Sequence, residues 1–76
     1  MGKPIKMTMH ATERALTNGL EPEDIVRIVT EGERLPEGRT KCRYVLQTRR
    51  GKLIAVCDED TDRIIVITVT RGGETD

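Results

Sequence analysis

Seventy-six residues make one domain with little core to spare, and with no Phe or Trp and a single Tyr that core must come from Ile, Val, Leu, Ala, Met and Cys. Thirteen basic residues cancel thirteen acidic ones, so total charge draws no polyanion and only a local basic face can. No apolar run approaches membrane-spanning length, the opening Met1-Gly-Lys-Pro-Ile-Lys6 lacks the apolar centre of a secretory signal, and two cysteines with one histidine cannot complete a structural zinc site. The expectation is a cytoplasmic protein with reduced Cys42 and Cys57, no metal, no cofactor and no membrane partner.

Pro4 to Met7 is a short candidate edge strand. Thr8 is placed to cap a helix over Met9 to Thr17, which Gly19 ends at the C′ position. Glu21-Pro22 opens a second helix, with Glu23 and Asp24 in its first turn. Ile25, Ile28 and Val29 form its apolar stripe, Val26 lies beside it, and Gly32 stops it. Glu33 to Arg39, with Pro36 and Gly38, reads as a loop.

From Lys41 the period becomes two. Cys42, Tyr44 and Leu46 alternate with Arg43, Val45 and Gln47 in a first strand. Arg50-Gly51 is a turn, and Leu53-Ile-Ala-Val-Cys57 is the apolar run of a central strand. Asp58-Glu-Asp-Thr-Asp62 is a polar turn; without the glycine and distant Glu of a calcium loop, it holds no ion. Ile64 to Thr70 is a β-branched third strand, and Gly72 to Asp76 a frayed tail.

These elements predict an α+β fold. Two N-terminal helices pack on a three-stranded antiparallel sheet in ααβββ order, four-stranded if Pro4 to Met7 joins. The whole chain is one domain with a core over about residues 8–71 and loose ends at 1–5 and 72–76. The helices cover one face only. Ile54, Val56, Ile65, Ile67 and Val69 are set against Leu53, Ala55, Cys57, Ile64 and Val66, so both faces are apolar. A homodimer, or another protein partner, is expected at the sheet.

Thr8-Met-His-Ala-Thr-Glu-Arg14 holds the only histidine, and on a helix His10 and Arg14 share a face. Metal-free RNA cleavage through the 2′-hydroxyl needs a base, an acid and positive charge on the phosphate. His10 is the one side chain that titrates near neutrality unaided. Arg14 and Arg43 suit bidentate phosphate contacts, Tyr44 can donate a proton or stack on a base, and Lys52 and Arg71 add charge. Each has a structural alternative. His10 can bond the sheet, Arg14 can pair with an acid of helix two, and Tyr44 is the largest core filler available. The run Arg49-Arg50-Gly51-Lys52 reads as a solvated hairpin tip, though it is the densest positive charge in the chain.

The same stretch carries a resemblance. Thr8-Met9-His10-Ala11-Thr12-Glu13-Arg14, the stop Asn18-Gly19-Leu20, the acidic start Glu23-Asp24-Ile25 and Gly32-Glu33 resemble the small bacterial family called domain of unknown function 4258. Arg43-Tyr44, Leu53-Ile54-Ala55-Val56-Cys57-Asp58 and Val66-Ile67-Thr68-Val69 extend the match to residues 8–71. Asn18 stands where the family usually has Arg, and Thr70-Arg71 lacks an aromatic residue often found there. The family in turn is similar to the barnase–EndoU–colicin–RelE superfamily of metal-independent ribonucleases and toxins. That resemblance implies an RNA substrate, a site between helix one and the sheet, and an antitoxin-like protein partner. Two readings follow: a toxin-like endoribonuclease, and a non-catalytic module that dimerises or docks a partner through its sheet.

Overall fold

The computed structural model describes residues 3–72. A short strand, β1 (Ile5–Met7), precedes two helices, α1 (Met9–Thr17) and α2 (Pro22–Glu31), and four strands follow: β2 (Glu33–Pro36), β3 (Lys41–Thr48), β4 (Gly51–Glu59) and β5 (Ile64–Gly72). They make one sheet in the order β1-β5-β4-β3-β2, antiparallel except where β1 runs parallel to β5.

Thr8 sets the start of α1. Its hydroxyl accepts the Ala11 N–H at 3.0 Å and donates to the Ile67 carbonyl at 3.0 Å, while its own N–H donates to the Val66 carbonyl at 3.0 Å. The Ile67 carbonyl is available because of a β-bulge. Pairing steps from Val56–Thr68 to Cys57–Val66, which leaves Ile67 without a partner on β4. At the other end Gly19 takes φ 71°, the Leu20 N–H donates to the Ala15 carbonyl at 2.8 Å, and the Gly19 N–H to that of Leu16 at 3.1 Å. This is a Schellman motif, and Leu20 fills its apolar position, buried.

Helix α2 opens on Pro22, with the Asp24 carboxylate accepting the Glu21 N–H at 2.8 Å. Ile25, Ile28 and Val29 face the sheet. Gly32 lets α2 run straight into β2: a Cβ there would strike the Ile28 carbonyl and come within 2.9 Å of the Val45 carbonyl oxygen. The core lies on one face, where Ala11, Ala15 and the α2 stripe meet Cys42, Tyr44, Leu53, Ala55, Cys57, Ile64, Val66 and Val69. On the opposite face Val45, Ile54, Val56 and Ile65 are only half-buried.

The fold class is the expected one, α+β with two helices on a sheet, but the sheet has five strands and is mixed. The three- or four-stranded antiparallel sheet in ααβββ order is corrected in two places. Pro4 to Met7 does join, but parallel to β5, from which two helices and three strands separate it in the chain. Glu33–Pro36, expected as loop, is an edge strand paired with β3. All four of its side chains are exposed, so it has no in–out alternation to read. Of the ends expected to be loose, residues 1–2 and 73–76 lie outside the described residues; Lys3 is bonded to Glu59 and to the Asp60 carbonyl, both at 2.7 Å.

Cys42 and Cys57 face each other across β3 and β4 as buried free thiols. Burial pushes both upward, Cys57 to about 12. Among the described residues no helix is long and apolar enough to cross a membrane.

Candidate functional site

In the Thr8–Arg14 motif the residues divide by role. Thr8 pins the helix to the bulge of β5, and Ala11, with no exposed surface, lets α1 lie close against the sheet. Ala15 repeats this one turn on. His10 and Arg14 are both exposed, not enclosed between α1 and the sheet as expected, since Ala11 and Ala15 take the sheet-facing side, and neither side chain makes a hydrogen bond or ion pair among the described residues. Packing accounts for Thr8 and Ala11 and leaves His10 and Arg14 without a structural duty.

Asn18 clasps the far end of α1. Its side-chain amide donates to the Arg14 carbonyl at 2.8 Å and to the Val69 carbonyl at 3.4 Å. Its own carbonyl accepts from the Arg71 guanidinium at 3.0 Å. Arg71 is thereby held at the C-terminal end of α1, roughly 12 Å of helix beyond His10 at about 1.5 Å per residue. From there a concavity of about 310 Å³ opens between the Gly19–Leu20 turn, α2 and the β3–β4 hairpin, and Arg27, Arg49, Arg50 and Arg71 line it.

Tyr44 lies elsewhere. It is buried under the helices, and its hydroxyl donates to Glu59 Oε1 at 2.5 Å. Glu59 also accepts from Lys3 at 2.7 Å, Arg34 at 3.1 Å and the Cys42 thiol at 3.5 Å. Burial alone would raise the Glu59 carboxyl, but these four donors outweigh it and hold it down at about 2. Burial, followed by the bond to Glu59, pushes the Tyr44 hydroxyl well above its ordinary range. That proton is committed to Glu59, not offered to a leaving group.

Arg43 and Lys52 occupy the uncovered face of the sheet. Arg43 pairs with Glu37 at 2.7 Å, and Lys52 stands opposite Gln47. Of the six residues expected to form a site, α1 carries His10 and Arg14 on its exposed surface and meets Arg71 at its far end; Tyr44 is buried, and Arg43 and Lys52 lie on the uncovered face of the sheet. Arg27 joins the concavity with no sequence signal beyond its charge. Arg49 and Arg50 had one in the basic run at the hairpin tip. Glu59 was hidden inside an acidic turn, where nothing marked it out from its neighbours.

Two helices on one face of a mixed five-stranded sheet, with arginines gathered at one end, define a small α+β domain with a local cationic pole. The family model described as Domain of unknown function (DUF4258) matches residues 7–71, and the chain belongs to that family. No curated protein and no solved structure matches it.

Proposed function

We propose that this domain is a ribonuclease-like module that cleaves RNA without a metal, using the outer surface of α1. The observation that carries this reading is the division within the motif, where Thr8 and Ala11 serve the fold while His10 and Arg14 stand free on one helix face. In this reading His10 removes the proton of a 2′-hydroxyl, the 2′-oxygen attacks phosphorus, and the 5′-oxygen leaves, taking a proton from solvent. Arg14 neutralises the phosphate as its charge rises. Arg71 holds the strand further along. Tyr44 supports the architecture instead of donating a proton.

Single-stranded RNA incubated with the protein in EDTA is expected to yield fragments ending in a 2′,3′-cyclic phosphate. His10→Ala is expected to slow this by about 10²–10⁴-fold, the usual worth of a positioned base. Undiminished cleavage by His10→Ala, or none by the wild type, sinks the proposal.

A second reading rests on a separate observation, the half-buried Val45, Ile54, Val56 and Ile65 on the sheet face that no helix covers. There the domain pairs with a second copy or an antitoxin-like protein. Light scattering well above micromolar concentration checks the homodimer form, and a mass of 8.6 kDa excludes it.

A further inference from the structure

Gln47, Thr48, Arg49, Arg50 and Gly51 line a second concavity, of about 430 Å³, at the tip of the β3–β4 hairpin. It shares Thr48, Arg49 and Arg50 with the concavity that holds Arg27 and Arg71, so the two meet across the same turn. The turn is braced from within. The Thr48 hydroxyl donates to the Gly51 carbonyl at 2.7 Å and accepts the Arg50 N–H at 3.2 Å, and Gly51 takes φ 118°. Arg49 and Arg50 are exposed on this fixed turn with no ion pair among the described residues.

The charge balance is lopsided. Four arginines face one carboxylate, Asp24, and that carboxylate already accepts the Glu21 N–H. Arg71 gives one donor to the Asn18 carbonyl and keeps the rest of its guanidinium free to face the concavity. Arg27 reaches Glu31 at 3.4 Å, an exposed pair that solvent screens. In a chain whose formal charges sum to zero, this concentration is a local feature and not a by-product of a basic protein.

We infer that the two concavities form one track, crossing the hairpin tip, for the phosphodiester backbone of single-stranded RNA. The choice of RNA as occupant rests on the reading proposed above. Two joined concavities, with Arg27 and Arg71 in the first and Arg49 and Arg50 on the turn they share, suit an extended polyanion better than a lone phosphate. The chain has no Phe or Trp, and its one Tyr is buried beside Glu59, so no aromatic ring stacks bases here. The track grips backbone and is indifferent to sequence. Lys52, opposite Gln47 in register, extends the positive charge past the second concavity.

The test is binding, measured by fluorescence anisotropy with labelled single-stranded RNA of about 12 nucleotides, within the range such grooves accommodate. Cleavage does not enter the readout, because the probe carries 2′-O-methyl ribose and so lacks the attacking hydroxyl, and gels verify that it stays intact. Arg49→Gln/Arg50→Gln is expected to bind about tenfold more weakly, with the salt slope smaller by about 1.4, the share of two phosphate contacts on a single strand. Arg71→Gln is expected to weaken binding in the same direction, and Arg63→Gln, in the turn at the far end of the sheet, to leave it unchanged. Unaltered thermal melting of the Arg49/Arg50 variant rules out misfolding as the cause. Unchanged affinity and slope in that variant overturn the track, while leaving cleavage by His10 standing. Displacement by inorganic phosphate at equal phosphate concentration overturns the extended polyanion. Displacement by polyglutamate as effective as by unlabelled RNA overturns RNA as the occupant. A wild type that binds at this tip but cleaves nothing upholds the track and fails the catalytic reading alone.

Discussion

Strand β4 has a charged cluster at each end, and the two are built on opposite principles. Around Glu59 one carboxylate receives Lys3, Arg34, Tyr44 and Cys42, and the cluster closes on itself. Around Gly51, roughly 26 Å away at about 3.3 Å per residue, four arginines gather with one occupied carboxylate between them. The first cluster joins both edges of the sheet, since Lys3 precedes β1 and Arg34 lies in β2. The second ties only Arg71 to the end of α1 and leaves Arg49 and Arg50 without an ion pair among the described residues. Similar side chains thus hold the fold together at one pole and stand largely exposed at the other.

The largest effect expected from breaking this contrast is at Glu59. Glu59→Gln keeps the shape but loses the charge that gathers four donors, and the carboxylate is only 12 % exposed. A loss of about 2–4 kcal/mol is expected in urea unfolding, with RNA binding at the other pole intact. Acid should reveal the same residue. Its folded pKa of about 2 lies below the reference of 4.5, so its contribution is complete above the reference and lost as pH falls from there toward 2. Glu59→Gln should flatten that part of the stability profile, and an unchanged profile would assign acid sensitivity to another carboxylate.

Smaller effects sharpen the comparison. Tyr44→Phe removes one donor from Glu59 and should cost about 1 kcal/mol, while RNA cleavage stays at the wild-type rate. Lost cleavage in a folded Tyr44→Phe protein would restore the hydroxyl to the chemistry. Arg49→Gln/Arg50→Gln should leave stability within about 0.5 kcal/mol, as befits surface residues that hold nothing. A larger drop would show that the hairpin tip belongs to the architecture after all.

How much of this was legible in the chain follows from what each signal depends on. Both helices were readable because Thr8, Gly19, Pro22 and Gly32 act locally, and their caps form as written. Strands β3 to β5 declared themselves by alternation and by β-branched runs. β2 did not, since an edge strand with four exposed side chains looks like a loop until a neighbour pairs with it. The parallel docking of β1 was equally hidden, being fixed only by its register with β5. For the site, the spacing of His10 and Arg14 was enough to put them on one face of α1. The gathering of Arg27, Arg49, Arg50 and Arg71 was not, because it joins a helix, a turn and a strand end that meet only in three dimensions.

The place of β5 has a consequence for how the protein is made. It is the last of the described strands to leave the ribosome, yet it lies between β1 and β4 and carries the bulge on which Thr8 rests. Until it emerges, β1 has no neighbour, and α1 lacks the carbonyls that fix its first turn. The amphipathic α2 must wait with its apolar stripe uncovered while the sheet is incomplete. Local contacts therefore form during translation, whereas the arrangement that seats α1, with His10 and Arg14 on its surface and Arg71 at its far end, is postponed to the end of synthesis. A nascent chain halted after Asp62 is thereby left without the assembled surface, so no function that needs that surface begins before the whole sheet has been released.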